Sequence, residues 1–162
     1  MAKAMVNDLI DQYQRSFKML TEEINRFDDR QWLNGLADPD HFQTPVVLAM
    51  HIYDCLDFYF RVNPGDEYRW GHRFGGGYWE LPLDKLPSKD LILIYAQELE
   101  ERIIPMLSAL DDADLAQSAL VPEEPNLTRL GSYIYALRHT IHHEGELASL
   151  NVFNGNQGGV WL

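Results

Sequence analysis

Hydrophobic side chains recur at three- and four-residue steps in four segments of the chain. In the first segment, residues 4 to about 28, the repeating positions are Leu9, Tyr13, Phe17, Leu20, Ile24 and Phe27. In the second, which we expect to begin near Thr44 and Pro45 and to stop before Asn63, they are Val47, Leu48, His51, Cys55, Phe58 and Val62. Because this spacing places side chains on one face of an α-helix, it predicts two amphipathic helices.

The same spacing predicts two more helices in the second half of the chain. The third begins after Pro87, with Ser88 as its N-cap, and ends at residues 111–114; its apolar positions are Leu91, Ile94, Tyr95, Leu99, Ile103, Met106, Leu107 and Leu110. Pro105 lies inside this pattern and has no N–H to donate, so we expect a kink there. The fourth helix runs from about Asn126 or Thr128 to Asn151.

Two segments lack any helical period. Residues 63–86 are rich in glycine and proline and carry four large aromatic side chains, Trp70, Phe74, Tyr78 and Trp79. A loop of this length in a compact domain is either functional or a sign that the elements were assigned wrongly, and we interpret it as an ordered, aromatic-rich crossover between the second and third helices. Residues 155–162 form a tail whose apolar end, Val160-Trp161-Leu162, should dock on its own domain or on a partner. The pattern predicts a single all-α domain over 1–162, a four-helix bundle whose topology stays open.

Composition narrows the function classes. The 162 residues include 13 basic and 25 acidic side chains, which gives a formal net charge of -12. That balance argues against nucleic-acid and anionic-membrane partners, since both are recognised by a basic surplus. No stretch approaches the roughly 18 apolar residues of a spanning helix, and the start of the chain lacks a signal-peptide pattern. The single cysteine, Cys55, allows no disulfide within the chain. We therefore expect a cytoplasmic protein.

Three histidines occupy helix faces that the apolar pattern turns inward. His139 and His143, four residues apart, share a stripe with Ala136, Leu147 and Leu150, whereas His142 falls on a polar stripe with Arg138 and Glu146. His51 lies on the apolar stripe of the second predicted helix. Burying three imidazoles is costly unless something binds them. A divalent metal would bind all three at about 2.0–2.1 Å and keep an open position for chemistry. Hydrogen-bonded core histidines are the alternative.

Other polar residues near these positions are weaker candidates. Asp54, one turn from His51, and Glu144, beside His143, are candidates to orient an imidazole or to hold a water molecule at the metal. A solvated role is an equal alternative for each. Cys55 is a conceivable thiolate ligand, but a buried core cysteine is the favoured interpretation. His41 and His72 are expected at the surface.

Two runs of sequence resemble one known family. They are residues 49–54 (AMHIYD), at the second helix, and residues 138–147 (RHTIHHEGEL), near the C-terminus. Together with the order of the elements, they resemble the DinB/YfiT-like superfamily of four-helix bundles. That resemblance implies that His51, His139 and His143 bind a divalent metal, zinc or nickel, and that the chain forms homodimers. It also implies a small-molecule substrate, since relatives include thiol S-transferases using bacillithiol, mycothiol or glutathione, a mycothiol-dependent isomerase and proposed metal hydrolases.

The chemistry of a three-histidine metal site leaves two reactions open. The metal can hold a thiol as a thiolate nucleophile, or it can activate water. The resemblance favours the thiol, so that a low-molecular-weight thiol is the expected co-substrate. Candidate walls of the substrate pocket are aromatic side chains, which could equally be core packing: Tyr53, Trp70, Tyr78, Trp79 and Tyr133. A bundle that binds a metal or ligand without turnover, and a purely structural homodimer, also stay open.

Overall fold

The computed structural model describes residues 2–34, 44–121, 123, 126–159 and 161–162. Within these ranges the secondary structure is helical, apart from an isolated antiparallel bridge between Ser118 and Thr128. The α-helices are α1 (Ala4–Arg26), α2 (Asp29–Trp32), α3 (Pro45–Tyr59), α4 (Lys89–Ser108), α5 (Asp112–Leu115) and α6 (Arg129–Phe153). The four long helices, α1, α3, α4 and α6, confirm the predicted all-α four-helix bundle.

Two of the three pairs of consecutive long helices, α1 with α3 and α4 with α6, lie at opposite corners of the bundle. Helix α1 packs against α4 and α6, and α3 packs against the same two helices. Helices α3 and α4 are neighbours, so the connection between them is longer than their packing alone requires. The largest fully buried side chains fill the space between the four helices, and they include Tyr13, Tyr53, Phe27, Phe60, Leu20, Ile24 and Met50.

The helix ends follow capping chemistry and differ from the predictions by a few residues. Pro45 stands in the first turn of α3, where its missing N–H costs nothing. The side chains of Ser88 and Thr128 each accept a hydrogen bond from a backbone N–H in the first turn of the following helix, as N-caps do. The third predicted helix continues past Pro105 to Ser108; the predicted kink stays a prediction. The fourth extends beyond Asn151.

The end of the first helix is more elaborate than the periodicity predicted. Helix α1 ends at Arg26, and the separate short helix α2 begins with a capping box. In that box the Asp28 carboxylate accepts from the N–H of Gln31, and the Gln31 side chain accepts from the N–H of Asp28. The reciprocal bonds stop α1 and start a new turn, because Asp28 leaves the helical conformation.

The crossover between α3 and α4 carries two 3₁₀ turns, His72–Phe74 and Leu83–Lys85. It is fastened to α3 by two hydrogen bonds to Asp54: the Gly71 N–H donates to Oδ2 at 2.8 Å, and the Tyr68 hydroxyl donates to the backbone carbonyl at 3.1 Å. Gly71 has a φ of 67°, and a Cβ there would lie 2.0 Å from the Gly76 carbonyl oxygen. The crossover therefore has a defined path, which depends on that glycine.

Polar side chains also tie α6 to α1. The side-chain amide of Asn151 donates to the carbonyl and to the carboxylate of Glu23. The predicted loop at residues 38–40, His41 and Val160 lie outside the described residues. No helix in the described part of the chain has both the length and the apolar character needed to cross a membrane.

Candidate metal centre

The side chains of His51, His139 and His143 meet where α3 packs against α6. The Nε2 atoms of His51 and His139 are 2.9 Å apart. The ring centroid of His143 lies 4.7 Å from that of His51 and 4.5 Å from that of His139. One nitrogen from each ring lies within 4.8 Å of the other two. Two helices thus bring three imidazoles to one point.

Helical geometry explains why these rings converge. His139 and His143 are one turn apart on α6, so their side chains lie on the same face. His51 stands in the middle of α3, which packs against that face. His143 is buried, and His51 and His139 are partly buried.

The surroundings hold two of the imidazoles in the neutral form. Burial, followed by the proximity of His139 and His143, lowers the pKa of His51 to about 3. Burial, followed by the neighbouring His143 and His142, lowers the pKa of His139 to about 4, although Glu146 acts in the opposite direction. At neutral pH both rings therefore carry no charge and present a lone pair, the form in which histidine binds a metal.

Glu146 fixes the orientation of His143. The His143 Nδ1 donates to the Glu146 Oε2 at 2.7 Å, which leaves the lone pair on Nε2. The Nε2 of the exposed His142 lies 3.6 Å from the other carboxylate oxygen. Sequence reasoning grouped Glu146 with His142 on the polar stripe and missed its bond to His143. The spacing of three residues on a helix was the signal that could have indicated it.

The donor set fits a divalent first-row cation. Three nitrogens bound at about 2.0–2.1 Å in a tetrahedral arrangement would lie about 3.3–3.4 Å from one another. The candidate nitrogens lie within 4.8 Å of one another, with 2.9 Å between those of His51 and His139, and imidazole suits zinc, nickel, copper and iron. Among the described residues, no group forms a hydrogen bond with the buried Nδ1 of His139, and the Nε2 of the same ring faces His51. The Nε2 is therefore the candidate metal ligand of His139. A cation would replace the direct contact between the Nε2 atoms of His51 and His139.

Comparison with known proteins places the chain in a family. Residues 12–147 match the sequence model of the DinB superfamily. The chain belongs to the DinB superfamily. Among solved structures it is similar to YfiT from Bacillus subtilis, with 18% sequence identity, a TM-score of 0.72, and coverage of 97% of this chain and 91% of YfiT. YfiT is described as a probable metal-dependent hydrolase with an unusual four-helix bundle topology. No protein of curated function matches the chain.

In this DinB-superfamily chain, the described contacts of the two candidate carboxylates, Asp54 and Glu144, lie outside the histidine cluster. Asp54 accepts from the Gly71 N–H, and burial, only partly offset by that bond, raises the pKa of its carboxyl to about 6. Glu144 is buried, and burial, with the nearby Glu23, raises its pKa to about 7. Asp54 thus fastens the crossover, and Glu144 faces α1. The roles predicted for them at a metal stay predictions.

Cys55 lies next to the cluster without joining it. Its Sγ is 4.0 Å from the Nδ1 of His51, the ring nitrogen opposite the one that faces His139. Burial, followed by the proximity of Asp54, raises the pKa of the thiol to about 12. A thiol with so high a pKa stays protonated at neutral pH, which agrees with its interpretation as a buried core cysteine.

The aromatic candidates for the pocket separate into two groups. Tyr78 comes down from the crossover edge-on to His51, with 5.8 Å between ring centroids, and Trp79 packs on Tyr78 with 58% of its surface exposed. Trp70 stacks on Phe58. Tyr78 is therefore the predicted aromatic that directly contacts the cluster.

Two further candidates lie in the hydrophobic core. Tyr53 is fully buried beside Phe17, and Tyr133 stacks on Phe60 at 4.8 Å. Their contacts are those of core packing, the alternative stated for them. An aromatic that sequence reasoning missed is Tyr135, whose ring stacks on His139 at 6.4 Å. Its position four residues before His139 on α6 could have indicated it.

Proposed function

We propose that this chain is a metal-dependent enzyme in which His51, His139 and His143 hold a divalent cation, zinc or nickel. The observation that carries the proposal is the convergence of three imidazole side chains from two helices, two of them with strongly lowered pKa values. Three protein ligands leave at least one position for a reactant, as in catalytic rather than structural zinc sites.

The finer proposal is transfer of a thiol to a small electrophile. When bound, such a cation lowers the pKa of a coordinated thiol or water toward neutral pH. In such a transfer the thiol would lose its proton to solvent, its sulfur would form a C–S bond with an electrophilic carbon, and the leaving group would depart with the electron pair of the bond that breaks. Glu146 keeps His143 in the tautomer that binds through Nε2, and Tyr78 stands against the ring of His51, where it would limit the approach of the electrophile.

Hydrolysis is the second candidate, and the description of YfiT is what favours it. Water would take the place of the thiol, and no co-substrate would be needed. The two reactions share the metal centre and differ in their nucleophile, so a single set of substrates assayed with and without thiols separates them.

Metal content tests the proposal first. The protein is purified without a histidine tag, and its zinc and nickel are measured beside those of His51→Ala and His143→Ala variants. We expect about one equivalent of metal in the wild type and a loss of at least tenfold in affinity in each variant, since each variant removes one of three ligands. His72→Ala is the matched control, because His72 is exposed in the crossover and belongs to neither group of candidate metal ligands. Equally low metal in all four proteins contradicts the proposal.

Turnover tests the finer step. The metal-loaded protein is offered alkyl halides and epoxides with and without a low-molecular-weight thiol, and separately esters and amides without one. Thiol-dependent consumption of the electrophile supports transfer. Consumption of esters or amides without any added thiol supports hydrolysis. Stoichiometric metal without turnover of either panel contradicts both reactions and favours a bundle that only binds.

A further inference from the structure

A cavity opens on α6 directly beside the histidine cluster. Its volume is about 260 Å³, and its described lining consists of Tyr135, Arg138, His139 and His142. His139 belongs both to this lining and to the candidate metal centre, so the cavity and the centre are contiguous. The other lining side chains supply an aromatic face, a guanidinium and a second imidazole.

Arg138 is a cation without a counter-ion in the described part of the chain. Its guanidinium lies over the ring of Tyr135, 5.2 Å from the centroid. The exposed Arg15 pairs with Asp11 at 2.8 Å and the exposed Arg73 with Glu98 at 2.6 Å, whereas Arg30 and Arg69, also exposed, have no ion pair among the described residues. What distinguishes Arg138 is that its cavity adjoins the candidate metal centre.

The acidic residues of α6 are engaged elsewhere. Glu144 is buried on the side of the helix that faces Met19 of α1. Glu146 accepts from His143, and it lies eight residues beyond Arg138, about 12 Å along the helix axis. The arginine therefore has its hydrogen-bonding edge available to a ligand, while Tyr135 supports its face.

We infer that this cavity is the subsite for the carboxylate of an anionic low-molecular-weight thiol, with Arg138 as the group that binds it. The inference rests on the proposed metal centre for the position of the sulfur. Neutral imidazoles around a divalent cation leave that centre positive, and Arg138 adds a second positive charge. Tyr135 contacts both Arg138 and His139. His139 lines both this cavity and the candidate metal centre, so a short thiol with its sulfur at the metal extends toward Arg138.

Arginine suits this role because its planar guanidinium forms two parallel hydrogen bonds with a carboxylate. The stacking on Tyr135 holds that plane in one orientation, which reduces the conformational entropy lost on binding. The exposed imidazole of His142 borders the same cavity and can donate a further hydrogen bond. The resulting specificity is for charge: an isosteric neutral amide should bind more weakly.

Cobalt(II)-loaded protein provides the test, because a thiolate bound to cobalt gives an absorption band. The probes are 3-mercaptopropionate and its neutral isostere 3-mercaptopropionamide. We expect the wild type to bind the acid about tenfold more tightly than the amide. This ratio is at the lower end of the gain in affinity expected from one charge-assisted hydrogen bond. Arg138→Gln should abolish the preference while keeping cobalt and amide binding. Arg138→Lys should keep part of it, because a lysine retains the charge without the bidentate geometry.

Arg15→Gln is the matched control, since it removes an equal charge on α1 and should keep the full preference. Equal affinities of the wild type for acid and amide, or an unchanged preference in Arg138→Gln, overturn the inference. Failure of the protein to bind cobalt would overturn the proposed metal centre instead. In that case, binding of propionate to the metal-free protein is measured by saturation-transfer NMR. Binding that Arg138→Gln abolishes supports the subsite, and absence of binding in the wild type overturns it.

Discussion

His143 donates its Nδ1 hydrogen to the Oε2 of Glu146 across 2.7 Å, one turn further along α6. A carboxylate in this position sets the tautomer of the ring and makes the opposite nitrogen a better ligand. The bond is local, so it would exist as soon as α6 forms and before any ligand arrives. Glu146 is thus the described group with the most direct means of preparing the cluster for a cation.

Removal of this bond should weaken metal binding. We predict that Glu146→Ala lowers zinc affinity by roughly 10- to 100-fold, the usual cost of losing the partner of a metal-binding histidine. Glu146→Gln should cost less, since its amide oxygen still accepts from Nδ1. Competition with a chromophoric chelator measures both. His72→Ala is the control, because His72 lies in the crossover and outside both groups of candidate metal ligands; a zinc affinity of Glu146→Ala equal to that of this control would contradict the prediction.

The lowered pKa of His51 should make the metal-free protein sensitive to acid. The folded value is about 3 and the unfolded value about 6.5, so below pH 6.5 the unfolded chain binds a proton that the folded chain does not. The free energy of unfolding therefore carries no penalty from His51 above pH 6.5. It decreases as the pH falls from 6.5 toward 3, by an amount that approaches about 1.4 kcal/mol per pH unit.

Comparison with His51→Gln isolates this contribution. The raised pKa values of Asp54 and Glu144 act in the opposite sense, and because both groups are present in both proteins they largely cancel in the difference. Urea denaturation after chelator treatment, repeated between pH 4 and 8, gives the two curves. We expect the wild type to lose more stability than the variant toward pH 4. Parallel curves would show that His51 is protonated equally in the folded and unfolded states.

Gly71 should be the glycine on which the crossover depends. Its φ of 67° and the Gly76 oxygen, 2.0 Å from a built Cβ, leave no room for a side chain. Gly75 has a similar φ of 88°, but open space surrounds its Cβ position. We predict that Gly75→Ala costs roughly 1–2 kcal/mol of left-handed strain. Gly71→Ala should cost distinctly more and also weaken metal binding, because it displaces the segment that places Tyr78 against His51.

Denaturation midpoints and zinc affinities of the two variants provide the measurement. Both changes add one methyl group at a positive φ, so the strain they share cancels and the difference reports the clash with Gly76. Equal losses of stability in the two variants, or an unchanged zinc affinity in Gly71→Ala, would show that the crossover tolerates a shift at this turn.

Helical periodicity predicted the bundle because four long amphipathic segments leave few alternatives, and it brought His51, His139 and His143 onto inward faces. It failed where contacts depend on the path of irregular chain. Trp70 and Tyr78 lie in the same crossover, but Trp70 stacks on Phe58 and Tyr78 reaches His51. Nothing in the local sequence separates them, since turns such as that at Gly71 decide which way each ring faces.

Buried polar residues were also hard to assign. An inward position predicts burial, but the partner of a buried carboxylate comes from another helix. Asp54 is one turn from His51 and instead bonds to Gly71, because α3 presents it to the crossover. By contrast, Glu146 and Tyr135 lie three and four residues from the histidines that they contact, and both could have been predicted from α6 alone.

Asn151 should contribute more to stability than its neighbour Asn154. Asn151 is completely buried, and its side-chain amide donates to the Glu23 carbonyl at 2.9 Å and to its carboxylate at 2.8 Å. Glu23 is also fully buried, and its remaining described side-chain partner is Arg26. Asn151→Ala removes two donors from a buried acidic residue, so we predict a loss of about 2–3 kcal/mol.

Asn154→Ala is the matched control, because the Asn154 side chain bonds to the Leu150 carbonyl within its own helix and ties no two helices together. We expect it to cost less than about 1 kcal/mol. Urea denaturation of metal-free protein followed by circular dichroism measures both losses. Equal losses of stability in the two variants would contradict the prediction, because they would show that the hydrogen bonds from Asn151 to Glu23 add no stability beyond that of a bond within one helix. A loss confined to Asn151→Ala would show that one side chain near the end of α6 holds the bundle closed at that end.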